Sequence, residues 1–123
     1  MPDALAPSSH LPLSATDYHV LLVLAERDLY GYGILKAVEE ESGGAVAPET
    51  GSLYRVLARL IDSGMVAETG APESAPEASP GRPRKYYRIT ERGREVLEGE
   101  SLRLRRALDL ARERDLLPEA GSP

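Results

Sequence analysis

The chain has 123 residues, no cysteine, two histidines, and 15 Lys plus Arg against 20 Asp plus Glu, a formal charge of −5. That length and a hydrophobic content of 41% fit one globular domain with a modest core. The lack of Cys excludes disulfides and thiolate metal sites, and two histidines are too few for a metal cluster of their own. No apolar run approaches the roughly 20 residues of a membrane span. The N-terminus has neither the basic region nor the apolar stretch of a secretory signal, so a cytoplasmic location without metal or cofactor is expected.

The charge is uneven. Residues 1–81 hold 4 basic and 12 acidic side chains, a net of −8, whereas residues 82–123 hold 11 basic and 8 acidic, a net of +3. Local potential decides contact once screening acts over about 10 Å. A negative average therefore does not exclude a polyanionic partner for the C-terminal third.

Residues 1–13 are rich in Pro, Ala and Ser and are expected to be a flexible segment. Ser14 then offers an N-cap, with Asp17 in the first turn. Tyr18, Leu21, Leu22 and Ala25 recur at spacings of three and four, which predicts an amphipathic helix of about 14 residues. Val20 and Leu24 widen its apolar surface beyond one stripe. Tyr30-Gly31-Tyr32-Gly33 breaks the pattern and is expected to be a turn. A second helix over about Tyr32–Glu41 carries Ile34, Leu35 and Val38 inward and stops at Ser42-Gly43-Gly44. A third follows, with Leu53, Val56, Leu57, Leu60 and Ile61 as its stripe and Gly64 as its end. Two helices joined by a short turn, the second opening on Thr and Ser, have the layout of a helix-turn-helix.

After Gly64 the period changes. "MVAETG" and "RKYYRIT" read as two short strands around a Pro, Ala, Ser and Glu segment that cannot form a central strand. Thr90 caps a last helix of about 25 residues. In it Leu97, Leu104 and Ala111 recur every seven positions, with Leu108 one turn from the latter two. So long a stripe exceeds what this small core can cover and points to a partner helix. The fold class expected is mainly α with a small β-hairpin: a winged helix over residues 14–90, a C-terminal dimerisation helix over 91–115 and a flexible tail over 116–123.

Two stretches carry candidate chemistry. In "SPGRPRKYYRIT" strand alternation places Tyr87 and Ile89 on the core side and Arg84, Tyr86 and Arg88 outward, with Arg82 and Lys85 near the tip. Guanidinium groups bind phosphate oxygens in pairs and release condensed counterions. The plainer reading is a cationic edge strand that blocks sheet-to-sheet aggregation. On the third helix, Thr50 and Ser52 crowd the N-terminus while Tyr54, Arg55, Ala58, Arg59 and Asp62 lie opposite the leucines. Short hydroxyls and amides at a helix start suit phosphate or base-edge contacts in a major groove. Against this, Thr50 or Ser52 could serve as a simple N-cap and Arg59 could pair with Asp62 or Glu49. Tyr18, Tyr30, Tyr32 and His19 read as packing residues. No nucleophile–base pair, phosphate-cradling loop or paired-carboxylate site is visible, so an enzyme is not expected.

Three stretches together resemble the PadR family of bacterial transcriptional regulators: "LLVLAERDLYGYGILKAVEE", "PETGSLYRVLARLIDSGMV" and above all "GRPRKYYRITERGREVL". The similarity spans about Leu13 to Glu98, and the paired tyrosines of the wing strand are its most diagnostic part. The chain departs from it where the family's usual His-Gly-Tyr-acid turn is Tyr30-Gly31-Tyr32-Gly33. With a single long helix after the wing, the chain is similar to the shorter subfamily. The resemblance implies a homodimeric repressor on a pseudo-palindromic double-stranded DNA operator. It implies that the helix opening at Gly51-Ser52-Leu53-Tyr54 enters the major groove and that the wing touches backbone or minor groove. The first and last helices would build the dimer, which adds Val20 and Leu24 to Leu97, Leu104, Leu108 and Ala111. In some members an aromatic or drug-like ligand at or near the dimer interface releases DNA. The competing expectation is a winged helix used as a protein-interaction module, which the overall acidity favours.

Overall fold

The computed structural model describes residues 6–71 and 85–118, with helices α1 (Ala15–Glu26), α2 (Gly31–Glu41), α3 (Thr50–Asp62) and α4 (Glu91–Glu113) and strands β1 (Leu29–Tyr30), β2 (Val66–Thr69) and β3 (Tyr86–Ile89). The strands form one antiparallel sheet in the order β1-β3-β2. Val66 pairs with Ile89 and Thr69 with Tyr86 on one side of β3, while Leu29 and Tyr30 pair with Tyr87 and Tyr86 on the other. This is a winged helix with three strands where the sequence pattern indicates two. Strand β1 is two residues long, too short to show alternation, and the expected turn at Tyr30-Gly31 is a strand end running directly into α2. Ahead of α1, Pro7–His10 form a short 3-10 turn packed against α4, within the segment expected to be loose.

Local chemistry explains the boundaries. The Ser14 hydroxyl accepts from the Asp17 amide at 3.1 Å and caps α1. Helix α3 ends in a Schellman motif: the Met65 amide donates to the Leu60 carbonyl and the Gly64 amide to Ile61, both at 2.9 Å. Gly64 has φ 77°, a left-handed conformation that favours glycine.

The wing is tied to the helices at one point. The Thr90 hydroxyl donates to the Gly64 carbonyl at 2.6 Å and accepts from the Gly93 amide at 3.0 Å, while the Thr90 amide donates to the Met65 carbonyl at 3.0 Å. Gly93 lies against that same carbonyl and the Ile89 side chain, so a side chain of any size there would collide with both.

The core gathers Val20, Leu21 and Leu24 of α1, Ile34 and Val38 of α2, Leu53, Leu57 and Leu60 of α3, Tyr87 and Ile89 of β3, and Val96 and Leu97 of α4. Burying each such side chain contributes about 1.5–3 kcal/mol. Helix α1 is the central element, packed against α2, α4 and β3. This corrects part of the expected dimer surface: Val20, Leu24 and Leu97 close inside the protomer and have no area to offer a second chain.

Helix α4 is anchored by its first half alone. Val96, Leu97 and Glu100 are buried, whereas Leu102, Leu108 and Leu110 are exposed and Leu104 is half-buried. Glu100 is 1% exposed and receives two hydrogen bonds of 2.7 Å from the guanidinium of Arg103, with a further one from the Leu13 backbone. These bonds hold its carboxyl below the ordinary 4.5, the Arg103 bonds being the largest cause and burial opposing them. A carboxylate with a lowered folded-state pKa stabilises fully above its unfolded pKa and loses that contribution as pH falls through the folded value. Thermal unfolding should therefore show the wild type losing stability below pH 4.5, with a steeper dependence than Glu100→Gln. Parallel curves for the two proteins would contradict this role for Glu100.

Candidate nucleic-acid interface

Helix α3 divides cleanly by exposure. Leu53, Leu57 and Leu60 are buried, while Thr50, Gly51, Tyr54, Arg55, Ala58, Arg59 and Asp62 face solvent and Ser52 is intermediate. No side chain caps its N-terminus, where Glu49 occupies the N-cap position. Arg55 donates to the Ser52 hydroxyl at 3.2 Å, a weak exposed contact that leaves the guanidinium mobile. Tyr54 leans back across α2: its phenol sits over Gly31, where a Cβ would collide with the hydroxyl.

Arg59 is placed differently from the reading that aimed it at DNA. Its two terminal nitrogens donate to Asp17 at 2.6 and 2.9 Å, a bidentate pair joining α3 to the first turn of α1. The carboxylate is nearly enclosed, with its side chain 9% exposed. The Asp17 hydrogen bond, opposed by desolvation, raises the Arg59 pKa further above its usual value. With its fork occupied, Arg59 positions α3; neither Asp62 nor Glu49 is its partner. Asp17 gave no sequence signal beyond a first-turn acid, because its partner is 42 residues away.

On the wing, Lys85 and Arg88 are exposed, and Lys85 lies 3.5 Å from the Glu68 carboxylate across the sheet. Tyr86 corrects the expectation that it faces outward. It is 4% exposed because β1 lies beside β3, and the Tyr30 ring covers it at 5.6 Å. Tyr87 and Ile89 are buried in the core cluster. Arg82 and Arg84 lie outside the described residues. Lys85 and Arg88 therefore flank the sheet end of the same molecule that presents Thr50, Tyr54 and Arg55.

Between α1 and α4 a cleft of about 360 Å³ is lined by Leu13, Ala15, Tyr18, His19, Glu100 and Leu104, among others. The Tyr18 and Ser101 hydroxyls bond at 2.9 Å beside it, and His19 Nδ1 is enclosed without a partner among the described residues. The described residues contain no group of His, Asp and Glu arranged to hold a metal ion. No described helix is long and apolar enough to cross a membrane.

The model of the transcriptional regulator PadR-like family matches residues 20–99, which takes in α1 through the first half of α4. The chain belongs to that family. A PadR family transcription regulator from Clostridium difficile superimposes with a TM-score of 0.65 at 24% identity, over 81% of this chain and 97% of that one. A PadR family regulator from Eggerthella lenta gives a TM-score of 0.60 at 26% identity, over 86% and 88%. Bacillus subtilis PadR, solved in complex with operator DNA, gives 0.59 at 23% identity, over 70% and 47%. By sequence, 82 residues are 40% identical to an uncharacterised 37.1 kDa protein in a transposon of Streptomyces fradiae. They make up 67% of this chain but 21% of that protein, so the chain spans about a fifth of its relative's length. The PadR-like fold accounts for the buried tyrosine pair: the first ring closes the β1–β3 side of the sheet and the second joins the core.

Asp17→Asn should weaken the α1–α3 link and destabilise by on the order of 1–2 kcal/mol, the range for charge-assisted bonds to an arginine half open to solvent. Urea titration measures it, and an unchanged midpoint would remove the pair from the structural account.

Proposed function

We propose that the chain is a homodimeric, cytoplasmic repressor that reads a pseudo-palindromic double-stranded operator. The N-terminal face of α3 enters the major groove and the wing grips the backbone. One observation carries the reading: α3 buries three leucines and turns Thr50, Tyr54 and Arg55 outward, with Lys85 and Arg88 exposed on the adjoining wing. Thr50 and Ser52 suit base-edge or phosphate contacts, Arg55 suits guanine or phosphate, and the wing cations neutralise backbone charge. The operator complex of Bacillus subtilis PadR supports the same mode here.

The second half of α4 supports self-association. A helix of 23 residues is about 34 Å long, and beyond Glu100 its leucines have no cover in the protomer. Leu104, Leu108 and Ala111 lie along it one to two turns apart, with Leu108 50% exposed. A matching helix from a second copy would bury them and set two α3 helices about one turn of DNA apart. The α1–α4 cleft adjoins this surface, and a small hydrophobic or aromatic ligand seated there would act on the dimer. His19 Nδ1 would gain a hydrogen-bond partner from such a ligand.

Two measurements test the proposal. Duplexes selected from random-sequence DNA should bind with a strong salt dependence, and an Arg84→Ala, Arg88→Ala double variant should lower the log–log slope by about 2. Failure of the wild type to retain any duplex at low salt would overturn it. Sedimentation should give a dimer that Leu108→Glu converts to a folded monomer; a monomeric wild type would remove the symmetric operator.

A further inference from the structure

Resting on the reading of α3 and the wing as a DNA-binding face, a second anion-binding feature stands beside it. A cleft of about 400 Å³ is lined by Tyr30, Gly31, Tyr54, Lys85 and Tyr87. It opens at the N-terminus of α2, an eleven-residue helix whose N-cap, Tyr30, makes no side-chain capping bond. The first amides of a helix carry a partial positive charge and lack intrahelical acceptors. Tyr32 and Gly33 follow in that first turn, and the absence of a side chain at Gly31 lets the Tyr54 phenol close over the backbone.

The second observation is Tyr87. It is 5% exposed, yet its hydroxyl makes no hydrogen bond to any described residue. His19 Nδ1 is the one enclosed side-chain polar atom without a partner among the described residues, so the Tyr87 oxygen keeps access to the cleft it lines. Burial, with Tyr54 and Glu68 adding to it, raises its pKa, so the phenol stays protonated and able to donate. A buried donor left unpaired costs free energy that a bound acceptor recovers. Three phenols, one ammonium and a helix start converge on one cleft, which suits a compact anion with several acceptor oxygens.

We infer that this cleft seats one phosphodiester group of the bound duplex. The Tyr87 and Tyr54 hydroxyls donate to its oxygens, the first amides of α2 face it, and Lys85 supplies the charge. The opposing charge is Glu68, 3.5 Å from Lys85, but both side chains are more than half exposed and the pair is screened. Lys85 can therefore turn from Glu68 to a phosphate at little cost. Tyr54 and Lys85 border both this cleft and the outer face of α3 or the wing, so the seat fixes how deep α3 lies in the groove.

The test uses the full chain, duplexes selected from random-sequence DNA, and the same duplexes with single phosphates replaced by neutral methylphosphonates. Tyr87→Phe should bind about 3- to 10-fold more weakly, the loss of one hydrogen bond, with an unchanged salt slope and an unchanged melting temperature. Lys85→Ala should lower the slope by about 1. At one backbone position per half-site, the methylphosphonate should weaken the wild type and erase its advantage over Tyr87→Phe. That position dependence separates a seated DNA phosphate from a pocket for free phosphate. Equal affinity of wild type and Tyr87→Phe on every duplex overturns the seat while leaving operator binding intact, as does a loss that persists at every scanned position. A wild type that binds no duplex overturns both.

Discussion

The Thr90 hydroxyl joins three elements that would otherwise meet only by packing. It donates to the last turn of α3 through Gly64 and accepts from the first turn of α4 through Gly93, while its own amide bonds to the strand-leading Met65. Each bond contributes about 1 kcal/mol, and their geometric effect is larger than their sum suggests. They fix the exit of α3, the base of the β2–β3 wing and the entry of α4 within a few residues. Gly64 permits the left-handed turn on one side, and Gly93 permits the backbone approach on the other. Wing and recognition helix are thus one rigid piece, and α4 leaves it in a fixed direction.

That rigidity makes the electrostatics usable. The chain is acidic overall, so non-specific attraction to a polyanion is weak and contact depends on local arrangement. Arg59 and Arg103 are committed to Asp17 and Glu100 inside the protomer, whereas Arg55, Lys85 and Arg88 stay on the surface. Half of the apparent basic inventory near the helices is therefore structural. The part that remains is confined to one edge of α3 and the wing, and affinity there requires both to dock together.

Much of this was legible in the sequence. The leucine stripe of α3, the caps at Ser14 and Thr90, the stop at Gly64 and the period change into the wing all follow from local chemistry, because each depends on residues a few positions apart. What was not legible depends on distant partners. Arg59 looks like a free cation until Asp17 is brought to it by the packing of α1 on α3. Tyr86 alternates outward by strand period, but β1 adds a neighbour that two residues of sequence could not announce, and Tyr30 covers it. Val20 and Leu24 read correctly as buried on more than one side; their cover is α2, α4 and the sheet. The family resemblance supplied the dimer assignment for them, and the protomer's own core takes precedence. On α4 the heptad spacing is unbroken from Leu97 to Ala111, so periodicity cannot mark where intrachain burial ends. Glu100 and Arg103 mark it, since a fully buried carboxylate needs its partner at the edge of the core.

Three consecutive residues of α1 then connect the two halves of the molecule. Asp17 holds α3 through Arg59, Tyr18 meets α4 at Ser101, and His19 lines the cleft between α1 and α4. Consecutive positions on a helix point about 100° apart, so one short segment faces three directions at once. A helix turn is stiff, and bidentate and hydroxyl contacts at fixed distances do not stretch freely. Any shift of α4 on α1 is therefore carried to α3 within one turn. The exposed second half of α4 is long enough to act as a lever on that turn, while the wing stays locked to α3 through Thr90. The angle between the α4 leucines and the open face of α3 is set by α1, and a change at one surface is felt at the other because no flexible segment separates them.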